Sequence, residues 1–162
     1  MYIYRIILDG LILSFLMAVT IISILRLNPR YEMKSYPKEI LNEVEPQTEE
    51  EKQGFLRIAL PMMILIFIFL VDRVRSAYLN SYVTYALLFL HTFFILMIWN
   101  TIDLLFMDWL LFCTITPNFI ILPGTKGNKG YKNYKYHFIG FLKGIVISAF
   151  CSLAIAAIVM II

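Results

Sequence analysis

Charge is scarce in this chain. Only 15% of its 162 residues are Asp, Glu, Lys or Arg, 60% are apolar, and the mean hydropathy is +0.79. Soluble domains run at about 25% charged and about 45–50% apolar, so a water-soluble globular domain is excluded. Cysteine is scarcer still. Cys113 and Cys151 form no Cys-x-x-Cys pair or Cys/His cluster, which removes a zinc ribbon and a disulfide framework. A GxxxxGK(S/T) phosphate loop is missing. No internal repeat relates the first half to the second, which argues against an inverted-repeat transporter within one chain. Polar stretches are too short to hold a soluble catalytic domain or a nucleic-acid surface.

What the chain has is long apolar runs. A hydrocarbon core about 30 Å thick takes roughly 20 helical residues to cross. Segments 6–27, 55–71, 83–101 and 138–162 meet that length, and the first reads as a retained span, too long and too charged at its start for a removable signal peptide. The expected architecture is an all-α integral membrane protein, a single domain over 1–162. It is a four-transmembrane-helix bundle with both termini outside, cytoplasmic loops at 28–54 and 117–137, and an interfacial extension after the third span. Orientation follows from the basic residues: four crossings put eleven of the fourteen Lys and Arg on one side, with only Arg5, Arg73 and Arg75 opposite. An excess of Lys and Arg marks the cytoplasmic side. A fifth span through 104–122 with a turn at 100–103 makes the split eight against six and erases the signal. All ten tyrosines then fall near a boundary, where aromatic rings with a polar edge are favoured. Abundant Ile, Phe, Tyr, Lys and Asn suit an AT-rich, bacterial genome, so the expected location is a bacterial plasma membrane.

The loops carry local signals. Asn28-Pro29 stops the first helix, and 38–44 has the composition of a short surface helix. Thr48-Glu49-Glu50-Glu51 spells a capping box, with three glutamates beside the positive end of the next helix. Pro61 is expected to kink that helix. Thr116-Pro117 should end the third helix. The segment 123–130 reads as a flexible, glycine-rich basic loop. Lys126, Lys129, Lys132 and Lys135, interleaved with tyrosines, suit anionic lipid headgroups or a phosphate.

In the last span Gly140, Gly144, Ser148, Ser152 and Ala156 recur every four residues. Small residues at that spacing let a second helix approach closely. The seam serves either packing within the chain or a homo-oligomer or larger membrane complex; at Gly144, alanine should be mild and leucine disruptive.

Polar groups inside apolar sequence are costly and therefore informative. The set is His91, Asn100, Asp103 and Asp108. On an α-helix, at ~100° per residue, Asp103 shares a face with Asn100 and lies about 140° from Asp108. The two carboxylates are thus not expected to act together from one straight helix, and pairing with Arg57, Lys143 or Arg26 at the boundary is the plain alternative. His91 falls near mid-span with no second ionisable group expected at its depth.

Two functional readings follow, beside a bare scaffold that only tunes the bilayer. The first is a small transporter, channel or accessory subunit of a membrane complex. The second is an interfacial enzyme acting on a phospholipid or lipid-linked phosphate, with Asp103, Asp108 and His137 as acid–base groups or metal ligands. The sequence names no metal, cofactor or substrate, and the bilayer with its anionic headgroups is the one partner it implies. Convergence of Asp103, Asp108 and His137 separates the two readings, because an enzyme requires it and a subunit does not.

Overall fold

The computed structural model describes residues 2–79 and 82–162. The chain forms α1 (Ile3–Leu27), a 3-10 segment (Pro29–Ser35), α2 (Lys38–Leu41), α3 (Glu49–Tyr78) and α4 (Tyr85–Ile102). A π-helix (Asp103–Ile115) prolongs α4, and a 3-10 turn (Lys129–Lys132) and α5 (Tyr134–Ile161) follow. Four of these helices are long and apolar enough to cross a membrane, with α4 and the π-helix counting as one. No strand occurs among the described residues. The turn that a fifth span requires at 100–103 is absent, because helical backbone continues from Tyr85 to Ile115.

Three of the helix starts have a side-chain cap. Thr48 and Glu51 exchange bonds as a capping box, Glu51 N donating to Thr48 Oγ1 at 3.2 Å and Thr48 N donating to Glu51 Oε2 at 2.8 Å. Thr84 Oγ1 accepts Leu87 N, and Asn133 Oδ1 accepts Tyr136 N, so both later helices also satisfy a free amide through a side chain. Helix α3 starts at the capping box and runs through Pro61, and its first turn and last two turns are polar extensions of the apolar middle expected to span at 55–71.

Helix α4 is central, packed against α1 on one side and α5 on the other, whereas α3 is attached lightly. Close approach rather than hydrophobic force holds such helices together. A methyl group at Gly10 would come within 2.8 Å of Ile98, and Gly144 is backed by the Asn100 side chain. Buried hydroxyls close on their own helices: Ser14 on Gly10 O at 2.6 Å, Thr92 on Leu88 O at 2.9 Å and Ser152 on Ser148 O at 2.7 Å. They therefore present a small contact surface to their neighbours and leave no donor unmet. In the seam, Ser148, Ser152 and Ala156 are buried inside the monomer, and only Gly140 has nothing within 4 Å of a prospective side chain.

The chain ends meet at one end of the bundle, where Arg5 donates to Ser76 O at 3.1 Å and Arg75 to Ile162 O at 3.4 Å. The opposite, loop end has its own core of Leu25, Met33, Tyr36, Ile40, Phe112, Ile120, Leu122 and Tyr131. Two tyrosines expected at the lipid boundary are interior instead. Tyr36 OH donates to Ile120 O at 2.7 Å, and Tyr131 OH accepts Leu122 N at 2.9 Å, with both rings at most 2% exposed. Tyr78 is likewise buried. A phenol satisfies a loop carbonyl or amide as well as it does water, and that alternative wins here. The glycine-rich segment is correspondingly tied down: Asn128 Nδ2 donates to Glu39 O at 3.0 Å, and Gly130 is buried against Ile40.

Candidate functional site

The π winding changes which residues share a face. Its backbone bonds run from residue i+5 back to i and close with Thr116 N donating to Leu111 O at 2.9 Å; the Thr114 side chain keeps the same spacing, its Oγ1 donating to Trp109 O at 2.7 Å. In an α-helix, residues five apart point about 140° from each other. In a π-helix they lie about one turn apart on one side, and such segments recur at functional sites. Asp103 and Asp108 are five apart, so the angular separation expected from the sequence does not hold. Both carboxylates face the same cleft.

Opposite them stands the start of α5. His137 Nδ1 lies 2.8 Å from Asp108 Oδ1, with the imidazole 5% exposed and the carboxylate 28%. Fixing one ring nitrogen on a carboxylate sets the tautomer and leaves the other nitrogen for chemistry. That second nitrogen, Nε2, is buried and has no hydrogen-bond partner. A buried polar atom left unpaired costs about 1–3 kcal/mol, which a ligand or water reaching it would recover. Phe112 packs against the ring at 4.7 Å between centroids and holds its plane.

The cleft has two adjoining parts, of about 110 and 340 Å³. Asp103, Asp108, His137 and Ser35 line both. Tyr36 and Glu32 wall the smaller part, and Lys143 and Gly140 the larger. No cation pairs with Asp103 among the described residues. In the adjacent loop, burial pushes the Glu32 carboxyl above the usual glutamate range, opposed by the Ser35 hydroxyl that donates to it at 3.1 Å. Burial first, then the neighbouring Tyr131 and Glu32, raises the Tyr36 phenol, which therefore stays a neutral donor.

Other residues singled out from the sequence go elsewhere. Asn100 turns to α5, donating to Phe141 O at 3.1 Å. Lys132 closes the π-helix, its ammonium donating to Cys113 O, Thr114 O and Thr116 Oγ1. Lys126, Lys129 and Lys135 are exposed outside the cleft. The lysine that does line it is Lys143, one turn beyond Ile139 on α5. Ser35, Tyr36 and Glu32 carried no site signal in the sequence, and Lys143 entered it only as a boundary partner for the aspartates, since residues in a loop and on a distant helix meet only through the tertiary fold.

His91 lies in a second polar group near the end where the termini meet. Its Nδ1 is 2.9 Å from Tyr78 OH, and its Nε2 is buried without a partner. A buried ionisable residue that the sequence reading did not place in this group, Asp9, stands nearby. That carboxylate is wholly buried on α1, accepts Arg73 Nε at 2.8 Å through Oδ1, leaves Oδ2 unpartnered, and lies within electrostatic reach of His91. Asp9 lies deeper than His91, since its neighbour Gly10 meets Ile98, seven residues farther along α4.

Among the described residues no three His, Cys, Asp or Glu side chains converge as a metal-binding set. What the cleft holds is a carboxylate-oriented imidazole, a second carboxylate and an ammonium. The chain matches no protein-family model, no curated protein and no solved structure.

Proposed function

We propose that this chain is an interfacial membrane enzyme that performs acid–base chemistry on the headgroup of a phosphate-bearing lipid. One observation carries the reading: His137 and Asp108 are paired at 2.8 Å in a cleft that Asp103 and Lys143 also line. The loop end, rich in Lys and Arg, faces the cytoplasm, and the membrane is a bacterial plasma membrane. His137 Nε2 takes a proton from water as the water oxygen bonds to the headgroup phosphorus. The bond from phosphorus to the leaving oxygen breaks, and that oxygen takes the proton back from the imidazolium. Asp108 holds the ring and stabilises its charged form. Lys143 neutralises the phosphate, and Asp103 positions the attacking water.

The competing reading, a transporter, channel or accessory subunit, draws on the small-residue seam of α5. That seam offers little to a partner, since Gly144, Ser148, Ser152 and Ala156 are occupied by the monomer's own packing. The test is headgroup release from a panel of phospholipids and polyprenyl phosphates by the purified chain in mixed micelles, followed by phosphorus NMR. Turnover should fall at least about 10²-fold in His137→Ala and Asp108→Asn, and stay unchanged in Lys126→Ala. No turnover across the panel, with the protein folded, would sink the enzyme reading and restore the subunit.

A further inference from the structure

A second cavity, of about 360 Å³, lies in the apolar middle of the bundle. Leu13 and Met17 of α1, Met63 and Leu70 of α3, Trp99 of α4 and Ile155 of α5 line it. It is not isolated from the cleft. Met17 and Trp99 line the apolar cavity, while Ile21 and Asp103, each four residues farther along the same two helices, line the polar one. Four residues are about one turn, or roughly 5.4 Å of helix. The polar cleft therefore sits directly over the apolar cavity at the loop end.

Water needs two to four polar partners to occupy a buried space, and this lining does not provide them. The solvent around a membrane protein at that depth is hydrocarbon chain. Helix α3 forms one wall and is the least enclosed helix of the four, with 6% of its apolar window buried against 28% in α1. Passage beside α3 is the route that disturbs the packing of α1, α4 and α5 least.

We infer that this cavity holds one hydrocarbon tail of the lipid whose phosphate headgroup occupies the cleft of Asp103, Asp108, His137 and Lys143. The headgroup end of this inference rests on the enzyme reading above; the tail end stands on the cavity itself. The ligand is thus a membrane amphiphile taken head and tail together. A soluble phosphate ester would use the cleft alone.

Trp99 provides the reporter. In a Trp109→Phe background, with the protein in detergent, Trp99 emission is titrated with a phospholipid brominated in mid-chain, and separately with brominated diacylglycerol. Saturable quenching at one lipid per chain is expected. Ala154→Phe, which adds a ring to the cavity wall, should abolish saturation, and the smaller Ala154→Leu should weaken binding. Lys143→Gln should weaken the phospholipid about tenfold and leave diacylglycerol unaffected. Emission of each variant without lipid confirms the fold. Linear, unsaturable quenching that is identical in wild type and Ala154→Phe would overturn the tail slot. Saturable binding that His137→Ala retains, with no turnover by wild type, would leave the slot standing and remove the enzyme; turnover without saturable quenching would do the reverse.

Discussion

Two glycines one turn apart on α5 should respond to alanine in opposite directions. At Gly140 nothing lies within 4 Å of a prospective methyl group. Alanine there collects its helix-propensity advantage of about 0.8–1.0 kcal/mol with no clash. At Gly144 the same methyl would overlap Asn100 Oδ1 and come 2.9 Å from Asn100 Cγ and 3.0 Å from Nδ2. The amide must swing away, breaking its 3.1 Å bond to Phe141 O. Asn100 is part-buried, so leaving its amide without a partner costs at most the ~1–3 kcal/mol of a fully buried group. Subtracting the propensity gain leaves Gly144→Ala roughly 0–2 kcal/mol less stable than wild type, and Gly140→Ala up to about 1 kcal/mol more stable. This departs from the mild outcome that the small-residue pattern alone suggests. Thermal unfolding in detergent micelles measures both. Asn100→Ala supplies the control: with the amide gone, Gly144→Ala should lose its cost, a coupling that a double-mutant cycle reads directly. Equal shifts for the two glycines, or a Gly144→Ala cost that persists in the Asn100→Ala background, would refute the assigned contact.

Three further outcomes are expected. Lys132→Met should destabilise the protein by about 1–3 kcal/mol, because a charged donor to the π-helix carbonyls is lost. Lys126→Met and Lys129→Met should stay within about 0.5 kcal/mol in the same melts. Glu32 has a folded-state affinity for protons raised by burial, so its contribution to stability is complete below the ordinary glutamate range and is lost as pH rises through the raised value. Melting temperature should accordingly drop across that window in wild type, and Glu32→Gln should flatten the drop. Cysteines introduced at Lys34 and Lys129 should react with an impermeant maleimide only after cells are opened, and one at Leu79 in intact cells; external labelling at Lys129 would reverse the assigned orientation.

Local chemistry was legible in the sequence wherever donor and acceptor lie a few residues apart. Thr48 and Glu51 name a capping box by spacing alone, and Thr116-Pro117 names the end of the third helix, where Thr116 takes a left-handed conformation at φ 49°. The pairing of His137 with Asp108 was reachable only as a condition to be tested, because two helices must meet to create it. The shared face of Asp103 and Asp108 was concealed by the assumption of an α-helical period. Tyr36 and Tyr131 read as lipid-boundary residues because an amphipathic ring suits both a headgroup and a buried loop carbonyl. The pairing of Asp9 with Arg73 was hidden because the two residues are 64 positions apart. Lys132 looked like a headgroup contact, although its charge is spent on the end of a neighbouring helix.

The wide winding between Asp103 and Ile115 also governs how this protein tolerates changes in length. Residues four apart stack in an α-helix and residues five apart in a π-helix. Removing one residue between the two aspartates, and letting that stretch wind normally, would bring them back to the same side of the rod. An insertion at the same place would turn Asp108 away from His137. The aspartate face is therefore preserved under loss of a residue and not under gain, which gives this helix a one-way mechanical tolerance like that of a ratchet.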